Sequence, residues 1–131
     1  MNDPVLTVRA IRAVAVEVPL RFVLGTSAAA IRAAPLLLVD VETEEGVTGR
    51  TWLFCYMRAA APAIVSLLGA VEEAVKGERI VPGALWALLS KRFRLIGVQG
   101  IVRMAMAVCD TACWDALAIA ANVPLATYLG G

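Results

Sequence analysis

Leu36-Leu-Leu-Val-Asp-Val-Glu-Thr-Glu-Glu-Gly-Val-Thr-Gly-Arg-Thr-Trp52 decides how this chain folds. In an extended backbone, Leu37, Val39, Val41 and Thr43 fall on one side, and Asp40, Glu42 and Glu44 on the other. That period-two alternation belongs to a half-buried strand over Leu36–Glu44. Glu45-Gly46 is a tight reversal, because glycine takes a left-handed conformation at little steric cost. Val47 to Trp52 returns as the next strand. Upstream, Leu6, Val8, Ala10, Val14, Val16 and Val18 alternate with Thr7, Arg9 and Glu17. A strand over Leu6–Val18 therefore precedes the hairpin and completes a three-stranded antiparallel meander. Ile11 and Arg12 break its alternation, which predicts a bulge near them. Pro19 ends this strand. Phe22–Ala34 is rich in small residues and has no clean period, so it reads as a loop, and loops of roughly a dozen residues tend to carry function.

Beyond Arg58 the period becomes helical. Ala60, Ile64, Leu67, Leu68, Val71 and Val75 make one face of a helix over Ala59–Val75, closed by Lys76-Gly77. Pro82–Phe93 is a second helix with Leu85, Leu88 and Leu89 on a stripe. Gly100–Ala121 is a long third helix, apolar nearly all round and hence expected at the centre of the molecule. Asn122 suits its C-terminus, and Pro124 begins a last short turn. Strands first and helices after make the fold class α+β, in one domain.

The chain has 131 residues, of which 60 % are hydrophobic, and a net charge of +1. Such a composition implies a large buried or partner-covered surface. Uncharged runs fall short of the ~18 residues of a membrane span. Asp3 and Pro4 stand where a signal peptide needs a basic and then an apolar stretch. The near-balanced charge offers nothing to nucleic acid. The expected setting is cytoplasmic, without membrane or nucleic-acid partners. The three cysteines, Cys55, Cys109 and Cys113, suit a reducing compartment. Histidine is absent, which removes the commonest general base and metal ligand.

Candidate chemistry within the chain is thin. Cys109 and Cys113 share a helical face, but a metal site needs further ligands, so they read as small buried hydrophobes. Asp110 and Asp115 flank Trp114. Five residues apart on a helix they diverge, and Asp110 lies two turns from Arg103, so charge pairing is expected rather than acid–base work. Lys91-Arg92-Phe93-Arg94 complements a helix C-terminus. Neither a phosphate-loop nor a dinucleotide fingerprint occurs.

Several phrases, taken in order, carry a resemblance. Val18-Pro19-Leu20 closes the first strand and Pro35-Leu-Leu-Leu-Val-Asp40 forms the second. Thr43-x-x-Gly46-x-x-Gly49 marks the hairpin. Then come Lys91-Arg92-Phe93, Asp110-x-x-x-Trp114-Asp115-Ala116-Leu117, Pro124-Leu125 and Leu129-Gly130-Gly131. The set resembles the N-terminal domain of the enolase superfamily, in its mandelate racemase / muconate lactonizing enzyme branch. Leu53-Phe-Cys-Tyr56 and Lys91–Gly97 look most like the racemase.

The resemblance implies a three-stranded sheet and a bundle of three to four helices over residues 1–131, capping the open end of a (β/α)8 barrel. That barrel is expected after Gly131. In the family it holds Mg²⁺ through three carboxylates and carries the acid/base residues that remove a proton α to a carboxylate, so the isolated chain is expected to be inactive and to bind no cofactor or metal itself. The capping domain supplies substrate fit and excludes water. The matching positions are Leu24, Thr26, Ala28 and Ile31 in one loop and Phe54 and Tyr56 in the other. Leu24, Ala28 and Ile31 would wall an aryl or alkyl group, and the hydroxyls of Thr26 and Tyr56 would orient a polar substituent. Gly25 departs from the histidine expected there in the racemase. The implied partners are the C-terminal barrel, a small carboxylic acid substrate and further copies in a homo-oligomer. The alternative reading is a stand-alone, non-catalytic domain that self-associates or binds a partner through its apolar surface.

Overall fold

In a computed structural model of the protein, residues 4–131 are described. The expectation drawn from Asp3 lies outside them. Three strands, β1 (Val8–Gly25), β2 (Ala30–Thr43) and β3 (Thr48–Phe54), precede four helices. These are α1 (Ala60–Val75), α2 (Pro82–Arg92), α3 (Ile101–Ala120) and the single turn α4 (Leu125–Tyr128). The sheet is antiparallel in the order β1-β2-β3. Its architecture is the expected α+β meander with helices on one face.

The alternation read from β2 is what packs the sheet. Leu37, Val39, Val41 and Thr43 are buried. They meet Ile64, Leu68, Val71 and Val75 of α1 and Ala105, Met106, Cys109, Ala112 and Ala116 of α3 in one core. Helix α3 has ten buried positions, matching its nearly all-round apolar pattern. It lies so close to β3 that a Cβ on Gly49 would sit 1.9 Å from the Ala112 carbonyl oxygen and 2.7 Å from the Ala116 nitrogen. The sheet touches the helix here backbone to backbone, which only glycine permits.

Both edges of the sheet are closed by carboxylates from helices. Glu72 of α1 accepts the Ile11 N–H of β1 at 2.6 Å. Asp115 of α3 accepts the Arg50 N–H of β3 at 2.8 Å. Each bond satisfies an edge amide that would otherwise recruit another strand.

Three sequence expectations are corrected. The stretch Phe22–Ala34 is not a loop. β1 runs on through Pro19 to Gly25, and β2 begins at Ala30 rather than Leu36, so the two form a long hairpin arm. All of residues 21–30 are exposed. With both faces wet, neither strand of the arm needs an alternating pattern, and the small residues left no period to read. The bulge near Ile11 and Arg12 lies earlier, between Val8 and Ala10, while Arg12 pairs regularly with Asp40. A second irregularity follows Pro19, whose missing N–H cannot feed the ladder: Leu20–Val23 stand against Arg32 alone. Finally, Arg103 does not pair with Asp110. Its guanidinium lies 5.4 Å from the Trp86 ring centroid and donates to the Val98 carbonyl at 3.0 Å.

Candidate functional site

The six residues expected at a substrate site fall into two groups. The first is the tip of the arm. Leu24 pairs with Ile31 and Gly25 with Ala30, so the Leu24 and Ile31 side chains share one face of the hairpin. Thr26 and Ala28 lie in the four-residue reversal beyond. The Thr26 hydroxyl donates to the Ala29 carbonyl at 2.9 Å and accepts the amides of Ala28 at 3.3 Å and Ala29 at 2.9 Å. A hydroxyl has one proton and two lone pairs, and all are spent here. Thr26 therefore shapes the tip in this structure. Ala28, Leu24 and Ile31 keep the apolar character the sequence suggested.

The second group follows β3. Phe54 pairs with Leu36 across the sheet. The backbone then turns sharply. Cys55 N–H donates to the Pro35 carbonyl at 2.8 Å, Met57 N–H to the Cys55 carbonyl at 2.7 Å, and Tyr56 between them has φ +64°. A left-handed conformation costs a non-glycine residue roughly 1–2 kcal/mol. Strain of this kind collects at functional positions. Here it lifts Tyr56 out of the sheet, 68 % exposed, with its ring edge-on to Phe54 at 4.8 Å between centroids.

The structure does not merge the groups into one pocket. Ile31 and Leu36 are five residues apart on β2, about 16 Å along an extended strand. At the base of the arm, where β1 and β2 meet the start of α1, lies an open groove of about 330 Å³ lined by Ala15, Val16, Glu17, Pro35, Arg58, Ala61 and Pro62. Arg58 and Glu17 form an ion pair at 3.0 Å in it, tying the Tyr56 turn to the base of the arm. Arg58 carried no sequence signal, since one arginine after a strand looks like any surface residue.

The remaining chemistry is structural. Among the described residues no cluster of three or more His, Cys, Asp or Glu could hold a metal ion. Cys55, Cys109 and Cys113 are buried free thiols. Burial pushes the Cys55 thiol up, and Cys113 is pushed up by its hydrogen bond with Cys109 and by burial. Neither is a nucleophile at neutral pH. Burial also raises the Asp110 carboxyl, partly offset by hydrogen bonding with Trp114. On the outer surface Glu42 is held below its ordinary range by Arg12 and then Arg9, at 2.6 and 3.0 Å. No helix among the described residues is long and apolar enough to cross a membrane.

The sequence model for the mandelate racemase / muconate lactonizing enzyme N-terminal domain matches residues 8–130. The fold is similar to part of an enolase from Bradyrhizobium whose structure is complexed with magnesium and mandelic acid. The identity is 37 %, the TM-score 0.90, and the match covers 98 % of this chain and 36 % of that one. An L-talarate dehydratase from Polaromonas sp. JS666, complexed with Mg and L-glucarate, matches at 23 % identity and TM-score 0.83, over 95 % of this chain and 35 % of that one. A mandelate racemase/muconate lactonizing protein from Herpetosiphon aurantiacus matches at 21 % and 0.81, over 95 % and 34 %. These last two likenesses establish the fold alone. The chain thus spans about a third of the length of the solved structures it matches.

Proposed function

Because this chain belongs to the mandelate racemase / muconate lactonizing enzyme N-terminal domain family, we propose that it is the capping, substrate-fitting domain of a larger Mg²⁺-dependent enzyme. That enzyme would abstract the proton α to a carboxylate, as a racemase or an acid-sugar dehydratase. The observation that carries this reading is the 37 % identity over nearly the whole chain to a third of a protein holding magnesium and mandelic acid.

The described residues do not fit a metal, for want of a carboxylate or thiol cluster, so no chemical step is assigned to them. In this reading the Mg²⁺ ligands and the acid/base pair belong to a (β/α)8 barrel following Gly131. The chain's own residues do three things. Leu24, Ala28 and Ile31 present an apolar wall to the substrate's side group. Thr26 fixes the shape of the tip that carries them. Phe54 buttresses Tyr56, whose phenol is held outward and can hydrogen-bond a polar substituent. Closing such a surface over bound substrate excludes water, which strengthens electrostatic stabilisation of the developing enediolate.

The test is α-proton exchange in D₂O, followed by NMR on a panel of 2-hydroxy and sugar-derived acids with Mg²⁺. The protein expressed from its own gene at natural length should exchange at least one of them. The 131-residue chain alone should not. Exchange by the short chain alone, or none by the natural protein across the panel, would sink the proposal.

A further inference from the structure

Exposed hairpin arms normally carry charged side chains, which keep them wet and stop them from pairing with other strands. This arm does the opposite. Phe22 to Ile31 is a run of ten residues without a charge, and Thr26 and Ser27 are its only polar side chains. Phe22 is 77 %, Val23 50 % and Leu24 45 % exposed. The Thr26 hydroxyl is taken up by the bonds that close the tip.

Cations flank the run, but the cross-strand pair of Leu24 and Ile31 does not share their surface. Arg32 follows Ile31 on β2, so alternation sends it to the opposite face of the arm. The Arg21 guanidinium lies 5.5 Å from the Phe22 ring centroid. In the second group Phe54, Cys55, Tyr56 and Met57 carry no charge at neutral pH. Arg58, which follows them, is paired with Glu17 at 3.0 Å.

We infer that the enzyme this chain caps acts on a monocarboxylic acid. Its one carboxylate lies beside the proton removed, and its side group is an uncharged aryl or alkyl group resting on Leu24, Ala28 and Ile31. This rests on the capping role proposed above and decides between the two substrate classes left open there, against the sugar-derived acids. A sugar diacid carries a second carboxylate and a row of hydroxyls away from the reacting carbon. Enclosed against the arm, those groups lose water and find no charge to replace it, and a buried charge without a partner is costly. The Tyr56 phenol can replace one lost hydrogen bond but cannot neutralise a carboxylate. An apolar side group gains from the same enclosure.

The test compares kcat/KM for α-proton exchange by the natural-length protein with Mg²⁺. The substrates are phenyl- and isobutyl-substituted 2-hydroxy acids and a set of six-carbon sugar diacids. The best apolar acid should exceed the best diacid by at least about tenfold, the discrimination expected when one substrate must bury an unpaired charge. A smaller margin, or a reversed one, would overturn the inference while leaving the capping role standing. No exchange on any of these acids would remove the capping role and the inference together. Ile31→Arg places a cation beside the side group on an exposed arm. It should narrow the margin, chiefly by lowering KM for the diacids, and an unchanged margin would show that the arm does not select the substrate. Arg32→Ala should leave the margin as it is. A wider margin in that variant would set Arg32 against the diacid's second carboxylate, and the inference would fall.

Discussion

At the scale of single residues, the tightest constraint in the molecule is Gly49. A methyl group there has nowhere to go, because the obstacle is the backbone of α3 and not a movable side chain. Gly49→Ala should cost about 3 kcal/mol or more, the upper end of overpacking penalties. Urea denaturation would measure it, and a loss below 1 kcal/mol would mean that strand and helix can separate cheaply. Asp115 stands on the same seam. Asp115→Ala leaves the Arg50 amide without its acceptor, and about 1–3 kcal/mol should be lost in the same assay. Asp115→Asn keeps an acceptor oxygen and should lose less. Tyr56 is the opposite case. Its exposed ring contributes little to the core, and its backbone is strained. Tyr56→Gly relieves the strain, so the melting temperature should hold or rise. In the enzyme proposed above, substrate discrimination should fall at the same time, measured as the ratio of kcat/KM for two substrates.

At the scale of elements, what could be read in the sequence follows from what burial enforces. β2 announced itself through Leu37, Val39, Val41 and Thr43, because one face of it is dry. The bounds of the three long helices were legible within a residue or two for the same reason. The arm was not legible. Its residues 21–30 touch water on both sides, so nothing selects an alternation, and its β1–β2 pairing resumes in a shifted register beyond Pro19. The edge carboxylates Glu72 and Asp115 were also invisible, since an acceptor for a backbone amide has no partner residue type to betray it. Of the candidate site, the resemblance supplied the positions, but only the structure shows Thr26 occupied at the tip and Tyr56 lifted by its turn. Thr26→Val removes the bonds that close the tip. Amide exchange at Ala28 and Ala29 should then accelerate while the global unfolding temperature barely moves. Unchanged exchange would show that the hairpin register alone holds the tip.

At the scale of the whole molecule, stability has pH-dependent contributions of opposite sign. Glu42 has a depressed carboxyl, so its contribution is present above the ordinary 4.5 and is lost as pH falls through the lower folded value. Asp110 has a raised one, so the folded chain is penalised progressively as pH rises from 3.8 through the higher folded value. Asp110→Asn should therefore raise the melting temperature at pH 7 and leave it unchanged at pH 3. A variant no more stable at pH 7 would show that the carboxylate is solvated in the native state. The arm carries a different consequence for the molecule. Thirteen β1 residues, from Val8 to Gly25, are registered on β2 independently of the connection at the arm's tip. A cut between Ser27 and Ala28 would divide the polypeptide into a short N-terminal piece and a long one while leaving that pairing intact. The two fragments, made separately, should reassemble on mixing, so the arm offers a natural split point for a two-part reporter.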